Sequence, residues 1–371
     1  MVRTQEPTLV NRSVVFTKPG QPLEIWEAEV AGPPRGGLLA KVVMAGVCGS
    51  DVHRLAGHQV DPGHPVTFGH ENIGVIEELG EDCATDWAGA PVSVGDLVYW
   101  QPAGACNRCR QCLAGNSAMC EGVPPGRKIQ AGLPSPAGFQ RYATLSSRIA
   151  FFRVPEETTP ESVLAFGCAM PTALGAFARL GTIEPWHTVL VQGAGPVGLA
   201  ATMLAGLSPT ARVITVGAPA HRLGIARRLG ATDVIALESA DAAGRQDQVM
   251  SLTGGRGADV VVEATGQLGA FREGLEMLAV EGRYLVVGLF SGGGEVPFDP
   301  VRLNNRSQRV IGSLSSEPNT RFSTVQLARR LGDKHGLSDL ITARFGLGEV
   351  ERAVDAVRAG EGVKTVVEPQ R

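Results

Sequence analysis

From about residue 185 the sequence alternates short apolar runs with helix-patterned ones. TVLVQ precedes GLAATMLAGL, ARVITVG precedes HRLGIARRLG, ADVVVEATG precedes FREGLEMLA, and RYLVVGLF closes the series. Such alternation leaves few folds open, because parallel strands need right-handed crossovers whose helices cover both faces of the sheet. The reading is α/β, a doubly wound parallel sheet. Residues 1 to about 160 differ: VVFTKPG, LLAKVVMAG, ENIGVIEEL and DLVYW are brief apolar runs cut by Gly, Pro or Asp, the pattern of a β-rich, loop-rich domain. The last stretch, with helix-like TVQLARRLGDKH and EVERAVDAVRAG and a final strand GVKTVVEP, leaves the alternation again.

Where the first strand of the series ends, Gly193-Ala194-Gly195-Pro196-Val197-Gly198 fits G-x-G-x-x-G. The first glycine allows the tight turn and the second lets the backbone approach a pyrophosphate. The third lets helix pack on strand, with the helix N-terminus facing the anion. An acidic residue is expected roughly twenty residues on, to hold the adenosine ribose. Here that strand ends in Gly217, with His221 and Arg222 just beyond it. The missing carboxylate removes a bond to the ribose and also a repulsion against a 2′-phosphate, so NAD and NADP both stay open.

A chain of 371 residues is about two domains, and 43% hydrophobic residues can fill two cores. A formal net charge of -3 with interspersed signs gives no field for nucleic acid. The N-terminus shows no secretory pattern, and the chain is expected in the cytoplasm. Val163 to Ile183 and Val189 to Leu207 approach the length of a membrane span, but Gly and Pro interrupt both, so no membrane partner is expected.

Seven cysteines are distributed unevenly. Cys106, Cys109, Cys112 and Cys120 form C-x2-C-x2-C-x7-C, enough to close one tetrahedral Zn²⁺ from a single loop. In a reducing cytosol such spacing reads as metal ligation rather than disulfide bonding. Cys48, His70 and Cys168 are scattered, yet they could converge on a second, open zinc site. Cys83 has no evident role.

These residues resemble the zinc-dependent alcohol dehydrogenases of the medium-chain dehydrogenase/reductase family over nearly the whole chain. The resemblance rests on Cys48-Gly-Ser-Asp-x-His53, Gly69-His70-Glu71, the four-cysteine loop, Cys168 and the Gly193 to Gly198 turn. It implies a GroES-like catalytic domain over residues 1–165, a Rossmann NAD(P)-binding domain over 166–312, and a segment 313–371 returning to the catalytic domain. It also implies a catalytic zinc on Cys48, His70 and Cys168, a structural zinc on the four-cysteine loop, and zinc as Lewis acid in hydride transfer between NAD(P) and an alcohol or carbonyl compound. Ser50 and His53 resemble a proton relay, and Asp51 the carboxylate that orients His70. Glu71 resembles either a nearby carboxylate or an exchangeable ligand. Thr172 and Val287 resemble positions flanking the nicotinamide, and Ala264 and Thr265 positions along the adenosine.

Trp100, Phe139, His58, Leu289 and Phe290 match places that often line the substrate cleft, with a core role equally open for each; aromatic cleft walls would favour a moderately apolar substrate. Gln308 to Leu314 resembles the edge strand through which family members pair, so a homodimer or homotetramer is expected. Two alternatives keep the fold: a zinc-independent quinone or enoyl reductase, which would lack the scattered ligands, and a non-catalytic nucleotide-binding protein, which would lack the relay.

Overall fold

The computed structural model describes residues 9–58, 63–122, 131–288, 293–314 and 317–371. The chain forms two compact units, Met1–Cys168 with Glu317–Arg371, and Ala169–Ser316. The crossings fall after residues 168 and 316, a few residues beyond the expected 165 and 312.

The first unit carries a seven-stranded sheet. Its order is Ile341–Gly346, Lys364–Glu368, Leu38–Val47, Glu71–Leu79, Leu97–Trp100 and Phe151–Arg153, with Tyr142–Leu145 also pairing with Leu38–Val47. Leu38–Val47 is apolar almost throughout and buried nearly end to end, as a strand covered on both faces must be. The returning segment is woven into this sheet. Lys364–Glu368 runs parallel to Ile341–Gly346 and antiparallel to Leu38–Val47. A smaller sheet of Glu24–Glu29, Val10–Phe16 and Val66–Thr67 completes the unit.

The second unit is a six-stranded parallel sheet in the order Asp233–Ala236, Arg212–Gly217, Thr188–Gln192, Ala258–Glu263, Leu278–Val286, Arg309–Gly312. Strand order reverses between Thr188–Gln192 and Ala258–Glu263, the switch point at which doubly wound sheets bind ligands. Two elements lie outside the sequence series. Asp233–Ala236 is only four residues long, and the helix Ala242–Leu252 is too polar to show a clear apolar stripe. The series also runs one parallel strand further than RYLVVGLF, to Arg309–Gly312 at the edge.

The two membrane-length stretches are broken as their glycines and prolines require, into the helices Pro160–Leu164 and Ala169–Leu180, and into the strand Thr188–Gln192 followed by the helix Pro196–Leu207. Among the described residues no helix is long and apolar enough to cross a membrane.

Candidate active site

Cys48 is the N-cap of the short helix Gly49–Leu55, and its Sγ accepts the Ser50 N–H at 3.3 Å. The Asp51 carboxylate completes a capping box by accepting the Cys48 N–H at 3.0 Å. Its other oxygen lies 3.2 Å from His70 Nδ1. One buried carboxylate thus fixes the helix start and the His70 ring, leaving Nε2 turned toward the thiols. That Nε2 is 3.0 Å from Cys48 Sγ, and Cys168 Sγ is 3.8 Å from Cys48 Sγ. A tetrahedral zinc with bonds of about 2.0–2.3 Å spaces its donors roughly 3.5–3.8 Å apart, so the thiols stand at that spacing and the imidazole just inside it.

The protons on these groups also suit a dication. A hydrogen bond from Cys168 pulls the Cys48 thiol down to about 5, against burial and with help from the His70 charge. The same bond, with burial, pushes Cys168 well up. Burial lowers His70, but the Cys48 thiolate and Asp51 carboxylate outweigh it and raise the imidazole well above its ordinary value. The cluster therefore holds protons that a divalent metal would displace on binding. The residues fit a zinc ion.

Glu71 lies within the same cluster but is already engaged. It is fully buried, accepts the Cys168 N–H at 2.8 Å, and pairs with the Lys364 ammonium. Lys364, also buried, donates to Val47 O at 2.9 Å. Burial raises the Glu71 carboxyl, yet the Lys364 charge more than offsets this and holds it below the usual range. Sequence reasoning missed Lys364, whose only signal is a lysine within the apolar strand KTVVE.

Ser50 Oγ lies 2.8 Å from Cys48 Sγ and 3.1 Å from His70 Nε2. His53, on the same helix, is exposed, with its Nδ1 against His58.

The second cage is local. Cys106, Cys109, Cys112 and Cys120 bring their sulfurs within 4.8 Å of one another. Cys109 caps the short helix Arg110–Leu113, and the Cys112 N–H it accepts is the main cause that pulls its thiol down to about 6. The Cys106 N–H donates to Cys120 Sγ at 3.2 Å. All seven cysteines are free thiols, and Cys83 is buried in the core of the first unit. Glu317, also missed from sequence, anchors this loop by accepting Ser117 N–H at 2.7 Å and Ala118 N–H at 3.1 Å.

In the second unit each motif glycine meets a different constraint. Gly193 has φ +112, and a Cβ there would stand 2.8 Å from Ala264 O. A Cβ on Gly198 would stand 1.9 Å from Gly193 O, while one on Gly195 would meet nothing within 4 Å, leaving room for a phosphate. Gly195 is the N-cap of Pro196–Leu207, with Pro196 at its start and Val197 and Gly198 following in the first turn. Gly217 ends its strand against Ala194, and Arg222, half-buried in the next helix, has its guanidinium pulled down by burial. Ala264 and Thr265 follow Ala258–Glu263. The fully buried Glu263 carboxylate accepts Thr265 N–H, Gly266 N–H and Gly288 N–H, tying together the loops after two strands. Thr172 and Val287 are half-buried.

Of the candidate cleft walls, two take the core role. Trp100 and Phe139 are fully buried in the hydrophobic core, and the Trp100 indole N–H donates to Pro136 O at 2.8 Å. They are core residues, because each has an apolar shell and, for Trp100, a backbone acceptor inside it. His58 is exposed, and Leu289 and Phe290 lie outside the described residues.

Residues 34–156 match the family described as the alcohol dehydrogenase GroES-like domain, and residues 196–330 the zinc-binding dehydrogenase family. The 5-exo-hydroxycamphor dehydrogenase of Pseudomonas putida is 40% identical over 93% of this chain and 95% of its own length. Among solved structures, an alcohol dehydrogenase from Thermotoga maritima superposes with a TM-score of 0.87 at 29% identity, over 97% of this chain and all of that one. A zinc-binding dehydrogenase from Sinorhizobium meliloti, solved with NADP, gives 0.81 at 25% identity, over 97% and 100% of the two chains. The chain therefore belongs to the zinc-dependent alcohol dehydrogenases of the medium-chain dehydrogenase/reductase family. It is a zinc-dependent NAD(P) oxidoreductase whose substrates are small alcohols or carbonyl compounds.

Proposed function

We propose that the enzyme interconverts a moderately apolar alcohol and its carbonyl partner in the cytoplasm, using a catalytic zinc on Cys48, His70 and Cys168. The observation that carries this reading is the convergence of those three donors from distant parts of the chain, with His70 already oriented by Asp51. When bound, zinc supplies a Lewis acid at the reacting oxygen and the nicotinamide supplies the hydride acceptor or donor. Ser50, beside the metal donors, takes the hydroxyl proton of an alcohol substrate, and His53 delivers it to solvent. Glu71 acts as the counter-charge of Lys364 and as the acceptor that fixes the Cys168 backbone, rather than as a resident ligand. The four-cysteine loop holds a structural zinc.

The Gly193 to Gly198 turn receives the pyrophosphate, Thr172 and Val287 flank the nicotinamide, and Ala264 and Thr265 border the adenosine. With Gly217 where an acid would select NAD, and Arg222 nearby, the site takes NADP at least as readily as NAD. The name of the Pseudomonas putida relative supports the apolar substrate class. The edge strand Arg309–Gly312, with Val310 and Leu314 exposed nearby, supports pairing into a homo-oligomer.

The test is a screen of NADH and NADPH oxidation across aldehydes and ketones, with cofactor affinity measured by fluorescence titration and metal by emission spectrometry. We expect about two zinc per chain, turnover with apolar carbonyl compounds, and NADPH binding no weaker than NADH. A zinc content of zero with full turnover would remove the metal mechanism.

A further inference from the structure

The helix that begins at Cys48 ends in a specific way. Ala56 is its C-cap, Gly57 follows with φ +78, and two backbone bonds close the turn: Gly57 N–H to Arg54 O at 3.0 Å and His58 N–H to His53 O at 2.9 Å. This is a Schellman motif, in which the left-handed residue turns the chain back and sets the second residue after the cap against the third from the helix end. That contact is commonly apolar. Here it joins His53 and His58, with their Nδ1 atoms 3.2 Å apart and ring centroids 5.5 Å apart.

We infer that His58 is a positioning residue and proton acceptor for His53. The inference rests on the reading of His53 as the outer member of the relay. Between two neutral imidazoles, an Nδ1···Nδ1 hydrogen bond has one donor and one acceptor, so each ring dictates the tautomer of the other. With His53 donating from Nδ1, its Nε2 is unprotonated and ready to receive the relay proton. On receipt, the His53 Nδ1–H bond breaks as an Nδ1–H bond forms on His58, and His58 releases its Nε2 proton to water. One proton enters and one leaves, with no change of oxidation state. Both rings are exposed, so exchange with water resets the tautomers between turnovers.

The test compares His53→Gln, His58→Phe and Gly57→Val. The last keeps both imidazoles but disfavours the left-handed turn that brings them together. The readouts are the His53 tautomer by ¹⁵N NMR in the protein without cofactor, and the dependence of alcohol-oxidation kcat on added imidazole. We expect His58→Phe and Gly57→Val to change the His53 tautomer and to lower kcat by up to about tenfold with KM unchanged, a fraction of a full acid–base contribution. We also expect added imidazole to restore the His58→Phe rate. If His53→Gln is slow while His58→Phe keeps the wild-type tautomer, rate and indifference to imidazole, the role of His58 falls and the relay stands. If His53→Gln itself turns over normally, the relay fails and this inference fails with it.

Discussion

The four-cysteine cage and the Cys48/His70/Cys168 cage are built in opposite ways. The first draws all its sulfurs from residues 106–120, on a loop whose only regular structure is two short helical turns. The second takes a helix cap, the residue before a central strand and the end of the first chain segment, and surrounds them with Asp51, Glu71 and Lys364. A local cage organises its own loop; a distributed cage is organised by the fold around it. On the function proposed above, the contrast gives stability to one and chemistry to the other.

The strongest way to break that contrast is to remove one ligand from each. Cys48→Ala should lower kcat by at least about 10³-fold, several kcal/mol of lost electrostatic catalysis, while the cofactor still binds. Cys106→Ser should lose its zinc with little change in the chemistry of the surviving fold, and lower the melting temperature by about 10 °C. Steady-state rates, zinc analysis and calorimetry separate the two; equal losses of rate would erase the distinction.

Next comes the charge behind the distributed cage. Lys364→Met strands the Glu71 carboxylate without a partner and should cost about 3–5 kcal/mol in urea unfolding, whereas Lys364→Met/Glu71→Gln should recover much of that. Because the folded Glu71 carboxyl lies below its ordinary range, its stabilisation is present at neutral pH and fades as pH falls through the folded value. Lys364 is raised, since the Glu71 charge and the nearby thiolates outweigh burial, and its share is lost only as pH rises through its own folded value. Acid unfolding should therefore be steeper in the wild type than in the double variant.

The smallest effect concerns the local cage. Glu317→Ala removes the acceptor of the Ser117 and Ala118 N–H groups and should cost about 1–2 kcal/mol. Faster zinc loss to a chelator from the four-cysteine loop, with unaltered turnover, is the expected reading. A matching fall in rate would show that the two cages are not independent.

The same contrast decided what could be read from sequence. The four cysteines and the Gly193 to Gly198 turn are short-range devices, and residue spacing alone exposes them. Cys48, His70 and Cys168 could be suspected only in combination, and the resemblance carried their assignment, because nothing local marks any one of them as a ligand. Lys364 could not be read at all: a lysine in KTVVE looks like the solvent-facing member of a strand, and its burial depends on a carboxylate 293 residues earlier. Trp100 and Phe139 stayed undecided for the same reason, since an aromatic side chain in an apolar run gives no sign of whether it faces a cleft or the core. Asp233–Ala236 escaped because four residues carry too little periodicity to register.

The woven position of Lys364–Glu368 also imposes an order on biosynthesis. Cys48, His70, Glu71 and Cys168 all leave the ribosome before the nucleotide-binding unit, but the ammonium that neutralises Glu71, and the strand that carries it, arrive only after that unit has been made. Until that strand is made, the first unit lacks the partner that Lys364–Glu368 gives to Leu38–Val47 and the ammonium that faces Glu71. Loss of the chain beyond residue 363 would therefore remove the counter-charge and the strand beside the Cys48, His70 and Cys168 cluster without removing any of those three side chains.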